Sequence, residues 1–187
     1  MEAQKILEEL LKAVSKKDFL REHLYISLRN KERCNGEITR PNKYLENIND
    51  VMSVELSTSS GILGRLEAKK TLLQKAGMSV EEAWEIARAN TINKEAINPY
   101  AECGNMTVIT SKSKYDGAGT IYATEKLKQF ANGSRLLIIP RSIHELIAMR
   151  YEVGMDIIKL NEIIRNTNKT GCENNEVLSD RAYVIDF

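Results

Sequence analysis

The segment 136–149 reads LLIIPRSIHELIAM and predicts two short strands on either side of a polar turn. Leu136 to Ile139 is an unbroken apolar run that ends at Pro140, which is typical of a buried strand. Leu146 to Met149 predicts the second strand. Strands of this kind, paired by hairpins, are typical of an antiparallel or mixed sheet.

On both sides of this segment the sequence alternates between strands and helices without a regular β-α-β order. Upstream, the predicted elements are a strand at Met106 to Ile109, a turn at Asp116-Gly117, a strand at Ala118 to Ile121 and a helix at Thr124 to Ala131 that Thr124 caps. Downstream, they are a helix at Met155 to Arg165 and an extended segment at Val177 to Ile185.

The N-terminal half predicts a hairpin, a further strand and several helices. Val51 to Leu56 and Ile62 to Leu66 flank a polar turn, and Tyr25 to Leu28 is another short strand. Apolar residues recur at helical spacing from Met1 to Lys17, which predicts an amphipathic N-terminal helix. Lys69 to Lys75 predicts a helix that stops just after it, at Gly77.

Another helix is expected to begin at Ser79, because Glu82 follows three residues later and completes a capping box. The apolar face of this helix includes Ala83, Trp84 and Ala87. We therefore expect the only tryptophan of the chain to be packed against the sheet as part of the core.

Hairpins and helices in this order favour an α+β fold, with an antiparallel or mixed sheet packed against several helices. The length of 187 residues is that of one domain. Within this single domain, 1–187, we distinguish an N-terminal helix at 1–20, a strand-hairpin-helix region at 21–97 and a C-terminal core at 98–187.

The charge composition favours neither a membrane nor a nucleic-acid partner, because 27 basic residues face 26 acidic ones and the formal charge is +1. No segment approaches the roughly 20 apolar residues that a membrane span needs. Met1 to Leu20 interleaves charged and apolar residues and does not resemble a signal peptide. The expected location is therefore the cytoplasm.

Cysteines and histidines are few and widely spaced. Cys34, Cys103 and Cys172 form neither a disulfide framework nor a close-spaced zinc motif, and we interpret them as free thiols. His23 and His144 lack the paired spacing of metal ligands. The sequence predicts no metal and no cofactor, although it does not decide whether these residues meet in space.

Four stretches in the C-terminal half carry a family resemblance. They are Val108-Ile109-Thr110-Ser111-Lys112, Asp116-Gly117-Ala118-Gly119, Leu137-Ile138-Ile139-Pro140-Arg141-Ser142-Ile143-His144-Glu145 and Glu176-Val177-Leu178-Ser179-Asp180. The chain resembles an uncharacterised domain family of unknown function that is common in Clostridia and other gut Firmicutes.

In two features the chain departs from the pattern of that family. Its N-terminal region is shorter, and Arg141-Ser142 stands where the family has a Ser-Ser pair, which argues against chemistry by a serine there. The resemblance implies a fold and a bacterial or mobile-element origin for an N-terminally shortened member, with no reaction attached.

Arg141, Ser142, His144 and Glu145 form the candidate functional loop, because polar groups that follow a buried strand often carry function. A hydrolase could use Ser142, His144 and Glu145 as nucleophile, base and orienting group. Closeness in sequence does not by itself produce this relay, and no glycine elbow exposes the serine. In the alternative structural interpretation, Ser142 caps a turn and His144 hydrogen-bonds to the backbone. We assign no catalytic residue.

Basic residues outnumber acidic ones between Asn105 and Arg150. The candidate basic surface consists of Lys112, Lys114, Lys126, Lys128 and Arg135. Such a surface could contact the phosphates of a nucleic acid, whereas a solvated surface of mixed charge is the alternative.

These observations favour a non-enzymatic protein-binding module. The resemblance adds a narrower expectation, a mobile-element protein that inhibits a host defence nuclease, with an anti-CRISPR protein directed at a Cas9-type nuclease as the concrete case. The alternatives are a hydrolase that uses Ser142, His144 and Glu145, and a nucleic-acid-binding accessory protein. The sequence does not determine the partner, the oligomeric state or the functional face.

Overall fold

The computed structural model describes residues 13–58, 61–95, 98–99, 104–171 and 173–187. Its fold is α+β, as the sequence predicts, and its strands are divided between two sheets. Most of the helix expected over Met1 to Lys17 lies outside the described residues. The chain forms two compact units, one of Met1–Ile26, Asn35–Arg40 and Val51–Asn90, the other of Ser27–Cys34, Pro41–Asp50 and Thr91–Phe187.

The helices of the described residues lie close to the predicted positions, except the first, which the sequence did not predict. They are α1 (Lys17–His23), α2 (Lys70–Lys75), α3 (Val80–Asn93), α4 (Thr124–Ala131) and α5 (Ile157–Gly171), with short 3₁₀ helices at Lys31–Arg33 and Gly117–Tyr122. Gly77 has a φ of +63° shortly after α2, so the predicted stop is confirmed. No described helix combines the length and the apolar composition that a bilayer span needs.

The first sheet contains β1 (Leu24–Asn30), β2 (Thr39–Pro41), β3 (Ile48–Thr58) and β4 (Gly61–Glu67), in the order β1-β3-β2 with β4 paired to β3. The antiparallel β3–β4 pair runs from Ser53 opposite Glu67 to Thr58 opposite Gly61, with a register shift after Leu56. The predicted hairpin is confirmed, and the predicted strand at Tyr25 to Leu28 lies within β1.

The second sheet has the order β5-β6-β8-β7-β9 and is antiparallel throughout. Its strands are β5 (Asn98–Pro99), β6 (Met106–Thr110), β7 (Leu136–Ile139), β8 (Glu145–Arg150) and β9 (Tyr183–Ile185). Leu136, Leu137 and Ile138 are all buried, because β7 has neighbours on both edges and is covered on both faces. The apolar run at 136–139 is thus the buried strand that the sequence predicts.

Helix α3 begins as predicted, but only one half of the capping box forms. The Glu82 N–H donates to Ser79 Oγ at 3.0 Å, whereas the Glu82 carboxylate accepts from Lys17 Nζ at 2.9 Å. Trp84 is half-buried, and the Arg40 guanidinium lies 4.2 Å from its ring centroid. The expectation of a core tryptophan is therefore wrong, because the ring packs against a cation at the surface.

The predicted strand at Ala118 to Ile121 is also wrong, since these residues belong to the buried 3₁₀ helix Gly117–Tyr122. Thr120 explains part of the difference, because its hydroxyl donates to the Gly117 carbonyl at 2.7 Å and favours a tight turn. Its hydroxyl also lies 3.0 Å from the Thr110 carbonyl at the end of β6.

Smaller differences occur at the ends of other elements. Helix α4 begins at Thr124 as predicted, but Ala123 occupies the cap position and no side chain caps the helix. Helix α5 extends to Gly171, beyond the predicted end. The last strand is limited to Tyr183–Ile185, whereas the sequence predicted extended structure from Val177.

Candidate functional site

The candidate site lies where β6 ends and β8 begins. These antiparallel strands pair with Thr110 opposite Glu145, so the loop that follows β6 and the turn that precedes β8 leave the sheet side by side. We call residues 111–116 the tyrosine loop, after Tyr115, and residues 141–145 the histidine turn, after His144. Both belong to the second compact unit.

Hydrogen bonds join the histidine turn to the chain around the tyrosine loop. Thr110 Oγ1 donates to the His144 carbonyl at 3.0 Å, and the Ala118 N–H donates to the Ile143 carbonyl at 3.2 Å. The Asp116 N–H donates to His144 Nδ1 at 3.0 Å. The tyrosine loop is therefore held to the histidine turn close to both of its ends.

His144 uses both ring nitrogens in these contacts. Because Nδ1 accepts from the Asp116 N–H, the ring hydrogen is on Nε2, which lies 3.2 Å from Glu176 Oε1 and donates to it. The Ile143 N–H donates to the Glu176 carbonyl at 2.9 Å. The imidazole thus connects the tyrosine loop with the segment around Glu176.

Ser142 contacts the main chain of His144 instead of its imidazole. The Ser142 hydroxyl is buried and accepts from the His144 N–H at 3.1 Å, while the Ser142 N–H donates to the Glu145 carbonyl at 3.1 Å. The Glu145 carboxylate pairs with Arg141. The structure therefore places the three residues of the hydrolase hypothesis in one turn without a hydrogen-bond relay from serine to imidazole to carboxylate.

Gly117 allows the tyrosine loop to approach the histidine turn. A Cβ atom at this position would lie 2.3 Å from the Ser111 nitrogen and 2.6 Å from the His144 carbonyl oxygen, which no side chain can accommodate without a backbone shift. The preceding residue, Asp116, has a φ of +47°, a region that non-glycine residues rarely adopt. The loop is thus held in a demanding conformation by close packing.

A largely buried ion pair anchors the base of the same loop. Arg29 Nη1 lies 3.1 Å from Asp116 Oδ1, and the Asp116 side chain is only 7% exposed. The same Arg29 nitrogen donates to the Leu28 carbonyl at 2.8 Å. Charge pairing of a carboxylate with a guanidinium offsets the cost of removing both from water.

The outer part of the tyrosine loop presents three exposed side chains, those of Lys112, Lys114 and Tyr115. The Tyr115 side chain is 58% exposed, and the edge of its ring lies against His144 at a centroid distance of 5.6 Å. Ser111 Oγ donates to the Tyr115 carbonyl at 3.0 Å and so holds its backbone. The loop presents a large aromatic side chain on an ordered backbone.

The candidate basic surface is partly neutralised. Lys126 pairs with Glu95, Lys128 lies 3.2 Å from Glu125, and the Arg135 guanidinium stacks 4.7 Å from the Tyr151 ring centroid. Lys112 Nζ lies 3.3 Å from the Asn93 carbonyl oxygen. Lys114 belongs to the tyrosine loop, so only part of the predicted basic surface coincides with the candidate site.

The described residues offer no obvious metal centre. Within the described ranges, no group of three or more His, Cys, Asp or Glu side chains is arranged to hold a metal ion. Cys34 is a half-buried free thiol, while Cys103 and Cys172 lie outside the described residues.

Sequence reasoning singled out His144 but missed the residues that surround it. Asp116, Glu176 and Arg29 are its direct or indirect partners, and Tyr115 is the exposed aromatic residue of the site. The family-like stretches of the sequence could have indicated these residues. The first three stretches contain or adjoin the tyrosine loop and the histidine turn, and the fourth begins at Glu176.

Comparison with known proteins gives a family but no activity. Residues 66–186 match the model of a family described as a family of unknown function (DUF5688). No curated protein and no solved structure matches the chain. The matched range includes the tyrosine loop, the histidine turn and Glu176, whereas Arg29 lies before it.

Proposed function

Because the chain belongs to the DUF5688 family, whose function is unknown, we propose from the geometry of its site that it is a protein-binding module that uses the tyrosine loop as its contact surface. The observation that carries this proposal is Tyr115, a large aromatic side chain that is 58% exposed on a loop fixed by hydrogen bonds. Tyrosines in such positions are frequent anchors of protein interfaces.

The fixed backbone of the loop supports a binding role. Association is weakened when a loop must be ordered at the moment of binding, and a loop that is already ordered avoids that loss. The Asp116 N–H to His144 bond, the Arg29–Asp116 ion pair and the close packing of Gly117 order this loop in the free chain.

Charge indicates the kind of partner surface. Lys112 and Lys114 are exposed beside Tyr115, while the negative charge of Asp116 is paired with Arg29 inside the unit. The exposed part of the loop is therefore positive. We propose an acidic protein surface with an apolar recess for the tyrosine ring, since complementary charge speeds and orients association.

The uses of the polar side chains also favour binding over hydrolysis. Ser142 accepts a hydrogen bond from the His144 N–H, and the His144 ring bonds to the Asp116 N–H and to Glu176. Glu145 pairs with Arg141. The bond from the Asp116 N–H to His144 holds the loop that carries Tyr115, and the other contacts hold the histidine turn. A serine nucleophile would instead need its hydroxyl directed at the imidazole.

A narrower form of the proposal keeps a Cas9-type nuclease as the partner, with a mobile element of Clostridia or related Firmicutes as the source and the cytoplasm as the place of action. Its support is the resemblance of the sequence stretches alone. The channel that holds the guide heteroduplex in such nucleases is positively charged, so a loop with Lys112 and Lys114 would bind elsewhere on the nuclease.

The test of the general proposal is capture of a partner by matched variants of the tagged chain from a lysate of the encoding bacterium. We expect wild type to retain a specific protein that Tyr115→Ser loses. The control is Val153→Ser, which removes another apolar side chain, 96% exposed, from the same unit. Equal capture by wild type and Tyr115→Ser, or no capture by wild type, would overturn the proposal.

The narrower form has its own test. Cleavage of a target DNA by a purified Cas9-type nuclease is measured with and without the chain. Inhibition by wild type and by Val153→Ser, but not by Tyr115→Ser, would support it. If the wild-type chain leaves cleavage unchanged, a Cas9-type nuclease is not the partner. The general proposal is then still tested by the capture experiment.

A further inference from the structure

We infer that His144 makes the tyrosine loop a pH-dependent binding surface, which is held in place while the imidazole is neutral and released when the imidazole is protonated. This inference rests on the proposed function, because it describes the regulation of the same surface. It is carried by the hydrogen bonds of the His144 ring to Asp116 and Glu176.

The observed arrangement requires a neutral imidazole. His144 Nδ1 accepts the Asp116 N–H at 3.0 Å, and a nitrogen that accepts a hydrogen bond carries no hydrogen. Nε2 therefore carries the ring hydrogen and faces Glu176 Oε1 at 3.2 Å. Only the Nε2–H tautomer of the neutral ring satisfies both contacts.

Protonation places a hydrogen on Nδ1 and sets two donors against each other. The imidazolium N–H and the Asp116 N–H would then point at one another across 3.0 Å, so the hydrogen bond is lost and becomes a repulsion. The Nε2 contact behaves in the opposite way, because the carboxylate of Glu176 attracts an imidazolium more than a neutral ring.

The other carboxylates near the ring are each paired with an arginine. The Asp116 carboxylate is paired with Arg29, and the Glu145 carboxylate of the histidine turn is paired with Arg141, so each of these charges has an opposite charge beside it. Glu176 is the carboxylate that contacts the ring itself. Protonation thus shifts His144 toward Glu176 and away from the tyrosine loop.

The tyrosine loop is built to respond to the loss of one bond. Asp116 has a φ of +47°, a left-handed conformation that is less favourable than the ordinary helical or extended backbone for a residue with a side chain, so contacts that hold it matter. The bond from its N–H to His144 is one of the contacts that hold the loop, and Tyr115 lies against the same ring. When that bond is broken, the Asp116 backbone and the Tyr115 ring both lose their contact with His144, and the ion pair of Asp116 with Arg29 is the contact that remains at the base of the loop.

The test measures hydrogen exchange of the Asp116 amide in the full chain by NMR, at about pH 8 and about pH 5, which bracket histidine titration. Each rate is divided by the intrinsic exchange rate at that pH. We expect protection of the Asp116 amide to fall on the order of tenfold at the lower pH, the effect of losing one hydrogen bond.

Two histidine variants make the test specific. In His144→Asn, the amide oxygen occupies the place of Nδ1 and accepts the same bond without titrating, so protection should be equal at both pH values. The chain has two histidines, and His23 is bonded to the Phe19 carbonyl within the other unit. His23→Asn should therefore retain the wild-type response.

The wild-type measurement decides the inference even if His144→Asn does not fold. A wild-type chain whose Asp116 amide is equally protected at both pH values would overturn it. So would a full pH response in folded His144→Asn.

Failure of the regulation and failure of the binding function give different results. If Tyr115→Ser captures the partner as well as wild type at about pH 8, the higher of the two pH values, the proposed function is wrong. If wild type loses amide protection in acid but captures the partner equally at both pH values, the surface does not depend on His144 and the inference is overturned.

Discussion

The phenol of Tyr122 donates a hydrogen bond of 2.5 Å to Oδ2 of Asp50, and both side chains are buried. Asn42 donates to the other carboxylate oxygen at 2.7 Å, and its own Oδ1 accepts from the N–H groups of Tyr44 and Leu45 at 2.9 Å. A carboxylate with no exposed surface is thus hydrogen-bonded at both oxygens, as buried polar groups require.

Replacing Tyr122 with phenylalanine should therefore destabilise the chain by about 1–3 kcal/mol, because the Asp50 carboxylate loses a donor that water cannot replace. Chemical denaturation measures the change in the free energy of unfolding. The control is Tyr115→Phe, which removes a hydroxyl from an exposed ring and should change the free energy of unfolding by less than about 0.5 kcal/mol. Equal stability of Tyr122→Phe and wild type would show that the contact contributes nothing.

Replacing Gly117 with alanine should destabilise the chain by about 1–3 kcal/mol or more, because the new Cβ atom collides with backbone atoms that cannot move independently. The control is Gly104→Ala, since a Cβ atom at Gly104 has no neighbour within 4 Å. Thermal unfolding compares the two. If both variants unfold at the same temperature as wild type, the close approach of Gly117 to Ser111 and His144 does not exist in solution.

Removing the Arg29 side chain by Arg29→Met should destabilise the chain by about 3 kcal/mol, because it leaves the largely buried Asp116 carboxylate without its guanidinium. The double variant Arg29→Met with Asp116→Asn should recover part of this loss, since the uncompensated charge is gone. Denaturation of the two single variants and the double variant gives the coupling energy. A coupling energy near zero would contradict the pairing.

Glu82 predicts a pH effect in the other unit. The hydrogen bond from Lys17 Nζ, assisted by the Lys17 and Arg21 charges, holds the pKa of Glu82 below its ordinary value of 4.5 despite some desolvation. A carboxyl group whose pKa is lower in the folded chain contributes stability above the unfolded value. That contribution is lost as the pH falls through the folded pKa.

NMR titration of the Glu82 carboxyl carbon measures this directly. We expect a midpoint below 4.5 in wild type and a return toward that value in Lys17→Met. Lys16→Met is the control, since Lys16 is an exposed neighbour and the contacts to the Glu82 carboxylate come from Lys17 and Arg21. The ion pair is absent in solution if Lys17→Met leaves the midpoint unchanged.

The parts of the fold that could be predicted are those that depend on contacts within a few residues. The strand at Leu136–Ile139, the stop at Gly77 and the start of the helix after Ser79 all follow from local patterns. The prediction was wrong where distant residues decide the backbone. Gly117 packs against Ser111 and His144. In this packing the chain from Gly117 to Tyr122 forms a 3₁₀ helix, although its sequence predicts a short strand.

The same distinction applies to the candidate site. The sequence marked the polar turn around His144, because polar residues after a buried strand are recognisable in the chain itself. It could not show that Ser142 is hydrogen-bonded to the backbone, or that the imidazole partners are Asp116 and Glu176, which are 28 and 32 residues away.

By itself, the sequence determined the fold class, the main strands of the second sheet and the family-like stretches, because hydrophobic periodicity and turn residues act over short distances. Only the tertiary structure decided that Tyr115 is exposed on an ordered loop, that Asp116 pairs with Arg29, and that His144 links this loop to Glu176. The physical reason is that antiparallel pairing of β6 with β8 brings separate loops together, and side-chain hydrogen bonds can form only after that pairing exists.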